Sequence, residues 1–161
     1  MPLEDIINEY FRQEHINDFK CDKCKKTGEI VKTQEILAFP KVLVVNVKRF
    51  VYYPQPKKLD NKVELQDHIA LHSHYTDGHH DLRDEALSFF SKEKAKGNYN
   101  LICCIEHYGR LNCGHYIASC YDSNKKRWIR FNDDNVSESK SLAELGSSGA
   151  AVYVMFYEQS N

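Results

Sequence analysis

Apolar and polar positions along this chain alternate in short runs, with two stretches that keep a helical period instead. Ile6, Ile7, Tyr10 and Phe11 recur at helical spacing behind Glu4 and Asp5, so residues 3–11 are predicted to form a helix with acidic side chains in its first turn. A loop is expected next, carrying Cys21-Asp22-Lys23-Cys24. Residues 29–37 alternate roughly, and the apolar run Val42-Leu43-Val44-Val45-Asn46-Val47 reads as a strand closing in Lys48-Arg49-Phe50. The prolines of Tyr53-Pro54-Gln55-Pro56 mark a loop before another strand candidate at 62–65. Further strands are predicted at 99–107, 116–121, 127–131 and 152–157.

Residues 71–98 have a different texture. They hold His72, His74, His79 and His80, then a charged run in which Leu82, Ala86, Leu87, Phe89 and Phe90 take the spacing of an amphipathic helix. This segment reads as a surface insertion between core strands. The expected fold class is α+β: a strongly bent antiparallel β-sheet with a few peripheral helices, in one unit spanning 1–161.

Composition narrows the picture. A chain of 161 residues, 42% hydrophobic and 28% charged, can bury a core of its own, and ten tyrosines with eight phenylalanines favour a β-rich interior. The formal net charge of −1 offers no electrostatic handle for nucleic acid or an anionic membrane, so neither is an expected partner. No apolar run reaches the roughly 18 residues of a membrane span, and the N-terminus has no signal-peptide core. Six cysteines without secreted-scaffold spacing point to a reducing setting, cytoplasmic and/or nuclear.

The chemistry concentrates late in the chain. Cys113-Gly114-His115-Tyr116 is followed by Trp128-Ile129-Arg130-Phe131-Asn132-Asp133-Asp134 beyond a polar turn at 122–126. Two antiparallel strands joined by that turn bring the histidine beside an amide and two carboxylates. A histidine oriented by Asn or Asp is two thirds of a nucleophile-activating triad. Cys113 is the one rival for nucleophile within the chain, but no helix N-terminus precedes it to lower its thiol pKa. Cys103, Cys104 and Cys120 are expected to pack in the sheet, and His107 to have a structural role. The loop histidines are either solvated or metal ligands. Cys21 and Cys24 are spaced for two thiolates on one tetrahedral zinc, half of the four ligands a structural site requires; the plain alternative is an exposed turn with two free thiols.

Several of these motifs together resemble the ubiquitin-specific proteases, papain-like cysteine-type deubiquitinases. The resemblance rests on Leu43-Val44-Val45-Asn46-Val47-Lys48-Arg49-Phe50, Tyr99-Asn100-Leu101, His107-Tyr108-Gly109, Gly114-His115-Tyr116, Trp128, Phe131-Asn132-Asp133 and residues 151–157, in order and at family-like spacing. Asn46 departs from the family's usual Leu or His, and Cys113 stands where a small residue is more common. The resemblance covers essentially the whole chain and corresponds to the C-terminal half of the family's catalytic domain, the palm and part of the fingers.

It implies that His115 is the general base, Asn132 its orienter and Asp133 the assisting carboxylate. Gly114 and Tyr116 would border the ubiquitin tail, with the loop 108–113 covering it. The family's nucleophile box, Gly-Asn-(Thr/Ser)-Cys-(Tyr/Phe), does not occur in these 161 residues. The chain is therefore expected to begin mid-domain and to be inactive alone. Its expected partners are the N-terminal half of the catalytic domain, ubiquitin and ubiquitinated proteins, with self-association of the isolated fragment. Cys21 and Cys24 would be half of a structural zinc site completed by an earlier CxxC. The rival reading is a catalytically inactive module that binds ubiquitin or another protein.

Overall fold

The computed structural model describes residues 1–34, 36, 38–72, 96–145 and 149–160. In chain order the elements are α1 (Leu3–Tyr10), β1 (Glu14–Lys20), β2 (Thr27–Lys32), β3 (Val42–Asn46), β4 (Phe50–Val51), β5 (Lys57–Lys58), β6 (His68–His72), β7 (Lys96–Arg110), β8 (Cys113–Asp122), β9 (Arg127–Asn132), β10 (Asn135–Ser139), a 3-10 turn (Ala143–Leu145) and β11 (Val152–Gln159). A seven-stranded antiparallel sheet in the order β10-β9-β8-β7-β11-β3, with β6 also on β7, forms the body. Two small hairpins, β1-β2 and β4-β5, form separate two-stranded sheets.

β7 is the spine of the sheet. Its first residues pair with β6, its later ones with β8, and β11 lies along its other edge. Register shifts between Val152 and Val154 and between Phe156 and Tyr157 let β11 follow the bend. One face buries Leu101, Cys104, Trp128, Met155 and Tyr157 together with Leu3, Val63, Ile69 and Leu71. Leu3 of α1 is fully buried, and the helix N-terminus is pinned at both ends of the contact. Glu4 N–H donates to Gln66 Oε1 at 3.0 Å, and Ala70 N–H donates to Glu4 Oε1 at 2.9 Å.

Arg49 is the main internal tie outside the sheet. It is 1% exposed in a cage of carbonyls: Val152, Leu59, Asn61 and Gly149 accept four hydrogen bonds from its guanidinium at 2.5–2.9 Å. A guanidinium suits this task because its donors point in several fixed directions at once. Arg49, between β3 and β4, thus holds the 59–61 segment against the start of β11.

The α+β class and the bent antiparallel sheet stand as expected, with several changes in detail. Among the described residues there is one α-helix and a single 3-10 turn rather than a few peripheral helices. The loop expected before Cys21 is β1, paired with β2. It lacked a core-facing alternation because most of the hairpin's side chains lie exposed. The strand expected at 62–65 is a single parallel bridge between Glu64 and Pro2, and the nearby strand is β6 instead. β10 was not foreseen because its five residues carry one apolar side chain. At the ends of the 71–98 segment, Leu71 and His72 belong to β6 and residues 96–98 to β7. The helix expected around 82–90 and His74, His79 and His80 lie outside the described residues.

Candidate active site

The β8-β9 hairpin builds the site. Asp122 closes its turn by accepting the N–H groups of Asn124 and Lys125 at 2.9 and 3.1 Å, with Lys126 in the left-handed region (φ 53°). The register that follows pairs Ala118 with Phe131. Residues an odd number of steps away on each strand therefore share the opposite face, and that places His115 and Asn132 on one side of the sheet.

His115 Nε2 lies 2.5 Å from Asn132 Oδ1. An amide oxygen only accepts, so Nε2 is the ring nitrogen that donates, and in the neutral ring Nδ1 is the one with a lone pair. Asp133 stands on the other side of the ring, its Oδ2 3.9 Å from Nδ1. It is the first residue of the two-residue turn joining β9 to β10, between the paired Asn132 and Asn135, and its φ of 50° swings the carboxylate toward the imidazole. At 79% exposure its charge is screened by water, so it acts as a weak field on Nδ1 rather than as a second clamp.

Gly114 and Tyr116 lie on the opposite face from His115. A Cβ at Gly114 would come within 2.1 Å of His107 Nε2 and 2.7 Å of Tyr108 O, so only glycine fits beneath this strand. His107 is 4% exposed, and burial and the nearby Lys58 ammonium depress its pKa, which keeps the ring neutral. Lys58 Nζ also donates to His107 O at 2.6 Å. Around His107 gathers an aromatic shelf: Tyr116 at 4.7 Å between ring centres, Phe50 at 5.6 Å and Tyr153 at 6.2 Å. Tyr116 remains 55% exposed, so the shelf presents a ring to solvent beside Gly114. An open groove of about 520 Å³ adjoins it, walled by Lys57, Lys58, Asp60, Gly109, Arg110 and Cys113.

The loop expected at 108–113 is mostly strand. Tyr108, Gly109 and Arg110 pair with His115, Gly114 and Cys113, which leaves Leu111-Asn112 as a two-residue tip, and Gly109 adopts φ 122°. Phe50 and Tyr153 were not read from the sequence as site residues. Phe50 is visible as the end of the Lys-Arg-Phe motif, but its place against His107 and Tyr153 depends on contacts between distant strands.

The cysteines divide by environment. Cys103 and Cys120 face each other across β7 and β8 with 2.9 Å between sulfurs, and burial pushes the Cys103 thiol up to about 12. Cys104 is buried and raised for the same reason. Cys113 is exposed at the hairpin end, cross-strand from Arg110. Cys21 and Cys24 lie on the turn of the β1-β2 hairpin, where Cys21 N–H donates to Lys26 O at 2.9 Å. The backbone amides of Cys24 and Lys23 draw the Cys21 thiol below its ordinary pKa. Among the described residues no group of three or more His, Cys, Asp or Glu is arranged to hold a metal ion. No helix among them is long and apolar enough to cross a membrane.

The family model for ubiquitin carboxyl-terminal hydrolase matches residues 2–157, nearly the full chain. The chain belongs to the ubiquitin carboxyl-terminal hydrolase family. Solved structures of hydrolases with this fold agree. The SAGA DUB module of Ubp8, Sgf11, Sus1 and Sgf73 bound to monoubiquitin matches with a TM-score of 0.75 at 27% identity, covering 99% of this chain and 33% of that one. The same module bound to ubiquitin aldehyde gives 0.74 at 28% identity, covering 99% and 34%. A further structure of the yeast SAGA DUB module gives 0.73 at 27% identity, covering 99% and 33%. The chain thus spans about a third of the length of these hydrolase structures.

Proposed function

We propose that this chain is the base-bearing part of a thiol-dependent deubiquitinase, with its nucleophilic cysteine supplied by a further segment. The observation that carries the reading is the bracketed imidazole: Asn132 Oδ1 at Nε2 and Asp133 on the side of Nδ1. In this mechanism His115 Nδ1 accepts the thiol proton, while Asn132 keeps the ring in the tautomer that allows it. The thiolate adds to the carbonyl carbon of ubiquitin's C-terminal glycine. The imidazolium then returns the proton to the departing lysine amine, leaving a thioester that water hydrolyses. Asp133 lowers the energy of the transient imidazolium by its charge. Gly114 borders the extended glycine-ended tail through its backbone, the space of its missing Cβ being taken by His107, and the rings of Tyr116, Phe50 and Tyr153 flank it.

The partners of this reading are ubiquitin, ubiquitinated proteins and the N-terminal part of the catalytic domain, in a cytoplasmic or nuclear setting. Cys21 and Cys24 serve as half of a structural zinc site. Two thiols on one turn, one of them stabilised as thiolate by backbone amides, fit half of a tetrahedral thiolate set and need two more ligands. The metal would tie two hairpins together and take no part in the chemistry. Elemental analysis of the reconstituted domain should find about one zinc per complex; its absence removes this assignment.

The test of the main reading is complementation. The chain is mixed with an N-terminal half-domain carrying the Cys box, and turnover of a fluorogenic ubiquitin C-terminal substrate is followed. Turnover is expected from the mixture, from neither half alone, and not from His115→Ala. A mixture that binds its partner half but stays inactive leaves the rival reading, a ubiquitin-binding module without chemistry.

A further inference from the structure

A buried polar group that the proposed chemistry does not use lies on the same face of the sheet as His115. Glu106 on β7 is 1% exposed. Arg130 Nη2, from β9, is 3.1 Å from its Oε2, and the Tyr108 hydroxyl donates to its Oε1 at 3.0 Å. Arg130 Nη2 also donates to the Tyr108 oxygen at 3.4 Å, which closes a triangle across β8. Burial and Glu106 raise the pKa of Tyr108, so its hydroxyl stays a donor. An apolar pair of similar volume usually serves stability as well as a buried ion pair does. Stability alone therefore does not account for a charged pair here.

Its placement does. Tyr108 is the direct cross-strand partner of His115, and Arg130 precedes Asn132 by two positions on one face of β9. The β8-β9 ladder reaches only to Ala118 and Phe131. His115 and Asn132 stand beyond this last pair of the ladder. The triangle bridges β7 to β9 at this point and has one corner next to each member of the pair.

We propose that Glu106, Arg130 and Tyr108 are positioning residues that set the separation of His115 and Asn132 and thereby the imidazole tautomer. The proposal rests on the reading of His115 as the base, and it is tested by a measurement that requires no nucleophile. Nitrogen-15 NMR of the chain itself reports which ring nitrogen of His115 is protonated. The wild type is expected to hold the proton on Nε2. Two variants are compared: Tyr108→Phe, and the double variant Glu106→Leu/Arg130→Met, which leaves no stranded charge.

Both are expected to keep the wild-type circular dichroism spectrum while the His115 signal moves to a mixture of tautomers. In the complemented enzyme their kcat falls about tenfold and KM stays within about twofold. Folded Tyr108→Phe with an unchanged tautomer and unchanged kcat overturns the proposal; if the double variant does not fold, Tyr108→Phe decides alone. An inactive wild-type mixture counts against the deubiquitinase reading only, because the tautomer measurement still judges the network.

Discussion

At the scale of single residues, the site depends on what sits beneath Gly114. His107 is buried against the strand and cannot yield space, so a methyl group 2.1 Å from its Nε2 must displace β8 or the ring. Gly114→Ala is expected to cost about 1–3 kcal/mol in urea denaturation and to abolish complemented activity. Adding His107→Ala should recover part of the activity while lowering stability further. His107 also has a pH signature. Its folded pKa is depressed by burial and by Lys58, so the fold prefers the neutral ring. The unfolded chain takes up the proton first as pH falls below about 6.5, and stability drops from there down to the folded value. Thermal midpoints measured across that window should fall more steeply for the wild type than for His107→Phe. His115, Asn132, Asp133 and Gly114 were all readable as candidates because motif residues occur at fixed spacing. Glu106 and Arg130 were not, because their pairing spans three strands.

At the scale of elements, the β1-β2 hairpin and the main sheet differ in how they are held. The hairpin is a sheet of its own, exposed along most of both strands and bulged between Ile16 and Phe19 with Asp18 at φ 60°. An isolated two-stranded ribbon is marginal in water. Amide hydrogen exchange is therefore expected to be fast in Ile16 and Ile30, and slow by several orders of magnitude in Cys104, Ile117 and Met155 of the sheet. Assembly with the partner half and zinc should protect the hairpin, whereas equal protection before and after contradicts the half-site proposal. The same contrast explains the sequence reading. β3, β8 and β11 carry apolar positions that face a core and could be read, while β1 and β10 are held by ladder hydrogen bonds that leave little mark on composition.

At the scale of the whole molecule, the sheet leaves a broad apolar face toward solvent. Val44, Phe156, Cys103, Cys120 and Ile129 align in one row across five strands, and Val154, Ile105, Ala118, Phe131 and Val136 in the next. None of these ten is fully buried, and Val44, Phe131 and Val136 are exposed. Contiguous apolar surface of this kind drives association. Sedimentation velocity on the isolated chain should show a weight-average mass that rises with concentration, and Val44→Lys with Phe131→Glu should abolish the rise. A monomer at all concentrations contradicts it.

The sequence by itself determined the α+β class, the positions of the main strands along the chain and the family, and it picked out the candidate residues of the imidazole site, because local periodicity and motif spacing are properties of the chain alone. Only the tertiary structure decided that Asp133 faces Nδ1 while Asn132 holds Nε2, that Arg49 is a carbonyl-caging tie, and that His107 forces glycine at position 114. It also decided that Glu106 meets Arg130 across β8. Each of these depends on contacts between segments far apart in sequence, and for the residues of the sheet a one-residue slip in register would turn the side chains to the other face.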